Sequence, residues 1–144
     1  MIHLTQSTKP ISAKNIKRIW HLIDLKDQVV GRIAPKISSL LQGKEKADYA
    51  PYLDAGDFVV LINSAKVVFT GSKMKDKKYT RFSGYPGGLH IASAEELIVK
   101  NPNRIIEEAV SGMLPKNKLR AKRMARLFVF PDERHSYKSR FGTK

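Results

Sequence analysis

The apolar run from Phe58 to Ile62 constrains the fold of this chain more than any other feature. It lies between Asp57 and Asn63 and contains no polar residue, whereas a strand with one solvated face alternates apolar and polar side chains. A run of this length that is apolar throughout is typical of a central strand covered on both faces. The sequence therefore predicts a layered fold with this strand near its middle.

Segments of strand and helix character alternate along the rest of the chain. Short apolar runs at 19–23, 66–70 and 127–130 have the length of strands. Strands alternate with helical segments that are longer than a hairpin loop, which favours parallel pairing. We therefore predict an α/β fold with a mainly parallel sheet and with helices on both of its faces.

The first predicted helix has a proline near its start and a glycine at its end. We expect it to begin near Gly31 or Arg32, because Pro35 then falls in the first turn, where its missing N–H costs little. Gly43 follows the last apolar residue of helical spacing, and it is expected to end the helix as the C-cap.

Two further helices are predicted between residues 93 and 112. Ser93 is followed three residues later by Glu96, which is the spacing of an N-terminal capping box. Asn101-Pro102 breaks that helix. Another helix is expected from Asn103 to about Ser111, with its end at Gly112.

Length and charge limit the class of protein. With 144 residues and 42% hydrophobic content, the chain can bury the core of a single domain. We expect a basic N-terminal arm at 1–18, one α/β domain at 19–130 and a basic C-terminal tail at 131–144. The 27 Lys and Arg residues against 13 Asp and Glu residues give a formal net charge of +14, which is typical of proteins that bind nucleic acid or an anionic surface.

A membrane and an oxidising compartment are both disfavoured. No apolar run approaches the roughly 20 residues that span a bilayer, so nucleic acid is the favoured partner. The absence of cysteine excludes disulfides, thiolate catalysis and zinc fingers, and it fits an intracellular site. Residues 1–23 are free of acid, as transit peptides are, but they lack an arginine-rich amphipathic helix, and we interpret them as a basic arm of the mature protein.

The most basic stretch lies between Gly112 and Leu127 and contains no carboxylate. On a helical wheel that begins near Lys116, its apolar residues share one narrow side that we expect to dock on the protein. These residues are Ala121, Met124, Ala125 and Phe128. The remaining sides are expected to carry the cations toward a polyanion; the alternative is a solvated charged face, although such faces usually mix Glu with Lys. The cations are Lys116, Lys118, Arg120, Lys122, Arg123 and Arg126.

A second cationic stretch is predicted to be a polar loop that opens at Gly71. It contains a single acid, Asp76, and the aromatic residues Tyr79 and Phe82 lie among its cations. The cations are Lys73, Lys75, Lys77, Lys78 and Arg81.

This loop ends in the glycine-rich segment 83–88. Gly84, Gly87 and Gly88 are expected to offer positive φ and an unobstructed backbone for the close approach of RNA. The alternative is an ordinary tight turn, since glycine serves both uses.

No motif for catalysis, a cofactor or a metal is found. The glycine-rich segment has neither of the phosphate-loop spacings, and Gly43-Lys44-Glu45 lacks the Ser or Thr that would hold magnesium. The four histidines are scattered without ligand spacing. Asp54 and Asp57 flank Gly56, where turn and capping roles are commoner than acid–base catalysis. We therefore predict no catalytic residue, no cofactor and no metal site.

Two cationic stretches with interleaved aromatic residues and glycines suit an irregular folded RNA better than a regular DNA groove. No helix-turn-helix, heptad repeat or aromatic ribonucleoprotein motif is found in the sequence. Recognition is therefore expected to depend on phosphate positions and RNA shape.

Short motifs spread from Trp20 to Phe130 point to a known family. They are Gly31-Arg32-x-Ala34, Gly43-Lys44-x-Lys46, Tyr49-x-Pro51, Asp54-x-Gly56-Asp57, Asn63-x-x-Lys66, Thr70-Gly71-x-Lys73, Tyr79, Ser83-Gly84-x-Pro86-Gly87-Gly88 and Gly112-Met-Leu-Pro-x-Asn-x-Leu119. In these motifs the chain resembles the ribosomal protein L-thirteen family of the large subunit. The resemblance implies a three-layer α/β/α domain on a four-stranded parallel sheet, and a structural role in binding large-subunit rRNA early in subunit assembly.

The resemblance also implies partners and a location. The partners are large-subunit rRNA and neighbouring large-subunit ribosomal proteins, with no small-molecule substrate. The expected location is the cytoplasmic ribosome, and a mitochondrial or plastid ribosome is the alternative. A free regulatory protein that acts on messenger RNA is the alternative function.

The motifs and the two cationic stretches together define the predicted RNA-binding residues. Three positions depart from the usual family pattern: Gln42, Glu45 and Phe82 stand where Arg, His and His are usual, and each departure removes a cation or a polar donor. The predicted RNA-binding residues are Lys44, Lys46, Lys73, Lys75, Lys77, Lys78, Arg81, Ser83, Gly84, Gly87, Gly88, Lys116, Asn117, Lys118, Arg120, Lys122, Arg123 and Arg126.

Overall fold

A computed structural model describes residue 12 and residues 15–141 of the chain. Most of the predicted N-terminal arm at 1–18 therefore lies outside the described residues. The strands are β1 (Trp20–Asp24), β2 (Phe58–Ile62), β3 (Lys78–Phe82), β4 (Leu89–Ser93) and β5 (Leu127–Val129). The helices are α1 (Val30–Gln42), α2 (Lys73–Asp76), α3 (Ala94–Lys100), α4 (Pro102–Met113) and α5 (Leu119–Met124), with 3-10 turns at Ser64–Lys66 and Lys138–Phe141.

Strand β2 is the centre of a three-stranded parallel sheet with the order β1-β2-β5. Its residues Val59, Val60 and Leu61 have 0% solvent exposure, because both faces of the strand are covered. The predicted central strand is confirmed, and so is the α/β class of the fold.

The predicted strand at 66–70 forms only one isolated parallel bridge, between Val29 and Val68. The chain enters helix α1 at Val30, so the partner segment turns away before a longer ladder can form. On the other side, the 3-10 turn at Ser64–Lys66 takes up the residues that would extend the strand backwards. The main sheet therefore has three strands, not the four that the family resemblance implied.

A second, smaller sheet occupies the region that the sequence predicted as a polar loop. Strands β3 and β4 pair in antiparallel fashion and form a hairpin, and α2 precedes it. Only Tyr79 of β3 is buried. Because the other residues of this strand are exposed and several are cationic, the strand lacks the apolar pattern that would have predicted it.

Helices α1 and α4 pack against each other and cover one face of the main sheet. Apolar side chains from both helices and from the sheet form one continuous core. Its most buried members include Leu25, Ile37, Leu41, Leu61, Ile105, Ile106 and Val110.

The C-terminal end of α1 agrees with the prediction, and its N-terminal end does not. Gly43 ends the helix in the left-handed conformation, with φ 78°, as predicted for the C-cap. The helix begins at Val30, earlier than predicted, so Pro35 lies in the second turn and not in the first. Pro35 cannot donate to the carbonyl of Gly31, but both residues are exposed, so water can satisfy that carbonyl.

The boundaries of α3 and α4 follow the predicted signals closely. Ser93 Oγ accepts a hydrogen bond from the Glu96 N–H at 3.2 Å, which confirms the predicted cap. Asn101 and Pro102 separate the two helices as expected. Helix α4 continues to Met113, so the predicted end at Gly112 is wrong by one residue.

An aromatic cluster covers the other face of the main sheet. Trp20 stacks on Phe58 with ring centroids 4.4 Å apart. Tyr137 lies 5.2 Å from Trp20 and 4.5 Å from Phe128, so residues from the predicted C-terminal tail at 131–144 close this face. The layer here consists of aromatic side chains and a 3-10 turn, whereas the sequence predicted helices on both faces.

Candidate nucleic-acid interface

A bidentate ion pair joins Arg126, which follows α5, to Asp54 in the loop before β2. Arg126 Nη1 donates to Asp54 Oδ2 and Nη2 donates to Oδ1, both at 2.5 Å. Nη2 also donates to the Leu41 carbonyl at 3.3 Å. The two side chains are only 8% and 15% exposed. The guanidinium of Arg126 therefore holds this loop against the end of α1 and is not presented to solvent.

Arg123 also points into the protein. The residue is 1% exposed, and its Nε lies 3.8 Å from Asp54 Oδ1. Ala121 and Ala125, which were predicted to dock, are exposed instead. Met124, which was also predicted to dock, does pack against the core. The predicted outward orientation is wrong for Arg123 and Arg126, because the Asp54 carboxylate attracts both guanidinium groups inward.

Lys46 is the third predicted RNA contact that the structure directs inward. Its Nζ donates to Asp57 Oδ1 at 2.5 Å, to the Lys17 carbonyl at 2.7 Å and to the Ala55 carbonyl at 2.9 Å. An ammonium group has three N–H donors, so these contacts use all of them. Lys46 therefore fixes its loop to the start of β2 and has no free donor for a phosphate.

The Asp57 carboxylate is the centre of this second polar cluster. It also accepts a hydrogen bond from the Ile19 N–H at 3.0 Å, and His21 Nε2 lies 3.1 Å from its Oδ2. Burial raises the pKa of Asp57, but its hydrogen bonds with Lys46, the Ile19 N–H and His21 outweigh burial and hold the pKa below its usual value of 3.8. Asp54 and Asp57 thus bind cations and backbone that the chain itself supplies, in place of the predicted turn and capping roles.

Most of the other predicted cations remain on the surface. Among the residues that the structure describes, none of them takes part in an ion pair. They are Lys44, Lys73, Lys75, Lys77, Lys78, Arg81, Lys116, Lys118 and Lys122. A surface with this many uncompensated cations attracts polyanions.

Two predicted residues beside α5 are partly used by local contacts. Arg120 is half-buried; its Nε donates to Ser111 Oγ at 3.1 Å, and its Nη2 donates to the same oxygen. Asn117 Oδ1 accepts a hydrogen bond from the Leu119 N–H at 3.1 Å at the start of the helix. Arg120 retains one unused guanidinium nitrogen and Asn117 retains its amide N–H groups, so both still have donors for RNA.

A cleft of about 560 Å³ brings three cations together between α1, α2 and α4. Arg32, Lys73 and Lys77 line it, and Glu108 is its acidic lining residue. Glu108 Oε1 already accepts a hydrogen bond from Arg104 Nε at 2.6 Å. The three cations therefore face the cleft without a free carboxylate to neutralise them.

A second cleft, of about 690 Å³, lies between the β3–β4 hairpin and helices α3 and α4. Arg81, Lys100 and Arg104 line it together with His90, and Glu96 is its acidic lining residue. Arg104 is neutralised by its pair with Glu108, but Arg81 and Lys100 still outnumber Glu96, so the cleft retains more positive than negative charge.

Three cations of these clefts lie outside the predicted set. Arg32 stands in the Gly31-Arg32-x-Ala34 motif, so its signal was present but was not used. Lys100 and Arg104 flank the break between α3 and α4, and no local pattern marks them. Only the packing of these helices beside the hairpin brings them to Arg81.

The glycine-rich segment 83–88 is the exposed tip of the hairpin. Gly84 and Gly87 have φ of 90° and 75°, which confirms the predicted left-handed backbone at these positions. The prediction of positive φ is wrong for Gly88. Close packing favours glycine at this position instead, since a Cβ there would lie 2.0 Å from Ser83 Oγ. The tip is thus both a tight turn and an open backbone surface.

Neither a metal cluster nor a membrane-spanning helix is found in the described part of the chain. No group of three or more His, Cys, Asp and Glu residues there is arranged to hold a metal ion. No helix described by the structure is long and apolar enough to cross a membrane.

An α/β domain with unpaired cations around two clefts and a glycine-rich hairpin has the features of an RNA-binding protein. Comparison with known proteins agrees with this class and narrows it. The chain belongs to the family described as "Ribosomal protein L13", whose pattern matches residues 18–136.

Several curated relatives resemble the chain over most of its length. "Large ribosomal subunit protein uL13" of Kocuria rhizophila is 48% identical over 87% of this chain and 85% of its own length. The protein of the same name from Thermobifida fusca is 46% identical over 94% of this chain and 89% of its own length. The protein of the same name from Pelobacter propionicus is 43% identical over 90% of this chain and 92% of its own length.

Proposed function

We propose that this protein is a structural constituent of the large ribosomal subunit that binds large-subunit rRNA and catalyses no reaction. The family and the names of the relatives support this role. The relatives are bacterial, which supports the cytoplasmic ribosome as the location. The partners are the rRNA and the neighbouring proteins of the subunit.

The observation that carries the proposal is the set of exposed cations without carboxylate partners. Lys73 and Lys77 lie with Arg32 in one cleft, and Arg81 lies in the other. Lys116 and Lys118 precede α5, and Lys122 lies within it. A folded RNA presents phosphates at irregular positions, and cations on separate elements of a rigid domain can match such positions.

We assign two roles to the basic residues. Arg123, Arg126 and Lys46 hold the domain together through Asp54 and Asp57. The exposed lysines and Arg81 are proposed to contact phosphate. In early assembly, a domain of this kind would fix the relative positions of the RNA segments that it contacts.

Sucrose-gradient fractionation tests the proposed function. A tagged copy is expressed in cells, and large subunits are washed with moderate salt before centrifugation. The protein is expected to cosediment with the large subunit in stoichiometric amount. A protein that stays near the top of the gradient, alone or on messenger RNA, would contradict the proposal.

Binding to purified rRNA provides a second, independent test. Deproteinised large-subunit rRNA is expected to bind the purified chain in a filter assay, with small-subunit rRNA as the control. If about six phosphates are neutralised, the slope of log affinity against log salt should lie near −4 to −5. A slope close to zero would contradict recognition through phosphate.

A further inference from the structure

The β3–β4 hairpin exposes large apolar side chains that the core does not use. Phe82 is 63% exposed, Leu89 is 56% exposed and Ile91 is 55% exposed, and Tyr85 in the tip is 75% exposed. Tyr79 is the only buried residue of the two strands, and it packs in the core. These four side chains form an apolar surface on the part of the domain that projects beyond the main sheet.

The pairing of the two strands places three of these side chains on one face. Phe82 lies directly opposite Leu89, and Thr80 lies directly opposite Ile91. Directly opposed residues share a face, and so do residues two apart along a strand. Phe82, Leu89 and Ile91 therefore form a continuous apolar patch, with the aromatic ring at its outer end next to the tip.

The charge around this patch selects the kind of partner. Residues 77–94 include Lys77, Lys78 and Arg81 and contain no carboxylate. Phe82 also borders the second cleft, where it lies with Arg81 and Lys100. Glu96 is the acidic residue that lines this cleft, and the cations outnumber it. An aromatic ring beside an excess of cations suits a ligand that is both flat and anionic, which describes a nucleotide better than an apolar protein surface.

Two hydrogen bonds order the backbone of the tip. The Ser83 N–H donates to the Gly88 carbonyl at 3.0 Å, and the Gly88 N–H donates to the Tyr85 carbonyl at 2.9 Å. Apart from the glycine itself and its two chain neighbours, no atom lies within 4 Å of the Cβ position of Gly84 or Gly87, so a planar base can approach the backbone closely. A tip that is ordered before binding loses little conformational entropy when it binds.

We propose that Phe82 and Tyr85 stack on unpaired bases of large-subunit rRNA, while Arg81 and Lys100 hold neighbouring phosphates. The inference rests on the proposed function and adds base contacts to a surface otherwise described by phosphate contacts alone. Base stacking on aromatic rings tolerates different bases because every base has a π face. The hairpin thus selects for unpaired nucleotides at a given place in the folded RNA.

The test measures the affinity of the full chain for deproteinised large-subunit rRNA. Phe82→Ala and Tyr85→Ala are each expected to weaken binding about tenfold, which is near the lower end of what one stacked base contributes. The slope of log affinity against log salt should stay that of the unmodified chain, because no charge is removed. Chemical probing should show the same backbone footprint but newly reactive bases.

Two controls separate stacking from other effects of these changes. Tyr52→Ala removes an aromatic residue that is 64% exposed but lies outside the hairpin, and it is expected to bind as the unmodified chain does. Phe82→Leu keeps an apolar side chain without a π face and should bind as weakly as Phe82→Ala, whereas Phe82→Tyr should restore binding. The urea midpoint of each variant checks that it is folded.

The outcomes distinguish the inference from the proposed function. If the unmodified chain fails to bind the rRNA, the proposed function itself fails. If the unmodified chain binds but Phe82→Ala and Tyr85→Ala match it, or if Phe82→Leu does, stacking is overturned and the proposed function stands. Normal binding to free rRNA with poor incorporation into subunits would also overturn stacking, because the patch would then contact a neighbouring protein.

Discussion

Arg126 and Asp54 lie 72 residues apart in the sequence, yet their side chains form a bidentate pair with both N···O distances at 2.5 Å. The planar guanidinium matches the two carboxylate oxygens, which a lysine ammonium cannot do. Gly56 lies beside this pair, and a Cβ there would come within 3.0 Å of Arg126 Nη2 and 1.8 Å of the Leu41 carbonyl. The loop before β2 is thus fitted closely around one arginine.

Arg126→Gln is expected to lower the free energy of unfolding by about 3 kcal/mol, because it leaves the buried Asp54 carboxylate without its main partner. Urea denaturation followed by the fluorescence of Trp20, the only tryptophan, measures the change. Lys122→Gln removes a charge from the same region but from an exposed side chain, and it should change stability by less than about 0.5 kcal/mol. Equal urea midpoints for the two variants would contradict this role of Arg126.

Asp57 is expected to make the stability of the fold depend on pH in the acid range. Its pKa is lower in the folded chain than its usual value of 3.8, so the ionised form stabilises the fold above that value and the contribution is lost as pH falls through the folded pKa. Asp57→Asn should lower the stability at pH 7 by about 2 kcal/mol and should flatten the decline of stability below about pH 4.

Urea midpoints at a series of pH values from neutral to acid measure this effect. Asp48→Asn is the matched control, since Asp48 is exposed and forms no ion pair among the described residues. It should retain the acid-dependent decline of the unmodified chain. A decline in Asp57→Asn as steep as in the unmodified chain would show that other carboxylates cause it.

Local patterns were sufficient to predict the central elements of the fold. The uniform apolar run gave β2, and the capping spacing at Ser93 gave the start of α3, because these signals depend on neighbouring residues only. The β3–β4 hairpin was missed for the opposite reason. Its residues pack on the domain mainly through Tyr79, and the other side chains face solvent, so no apolar periodicity marks the strands.

The sequence analysis expected the cations around α5 to face solvent, and this holds for most of them but not for Arg123 and Arg126. A helical wheel places apolar residues inward, and for α5 this rule fails because Arg123 and Arg126 meet Asp54 from a distant loop. A buried carboxylate that selects two arginines is a tertiary feature that a single segment cannot reveal. The same is true of Lys46, whose donors are all used by a neighbouring loop and strand.

Tyr137→Ala is expected to uncover the aromatic face of the main sheet. The ring of Tyr137 lies against both Trp20 and Phe128, and its loss should lower the free energy of unfolding by about 2 kcal/mol because the ring is only half-buried. The emission of Trp20 should shift to longer wavelength as water reaches the indole. Tyr52→Ala, at an exposed position, is the control, and a Trp20 spectrum unchanged in Tyr137→Ala would show that the C-terminal segment does not cover this face in solution.

The exposed and buried cations around α5 should separate RNA affinity from stability. Lys116, Lys118 and Lys122 are exposed, and changing all three to Gln is expected to weaken rRNA binding about a hundredfold, at roughly 1 kcal/mol for each lost phosphate contact. The slope of log affinity against log salt should become less negative by about 2 to 3. Stability should change little, since no described ion pair involves these lysines.

Two comparison variants complete this experiment. Arg123→Gln with Arg126→Gln removes charge from the same segment but from inside the protein, so it should lower the urea midpoint while the folded fraction keeps the salt slope of the unmodified chain.

Lys26, Lys36 and Lys138 are exposed lysines outside the predicted RNA-binding set, and changing them to Gln removes the same charge as the first triple variant. If both lysine triples weaken binding equally, the net charge of the protein explains its affinity, and the segment around α5 has no specific contact with RNA. A loss confined to the Lys116, Lys118 and Lys122 variant would place phosphate against this segment, because bulk attraction acts on both triples alike.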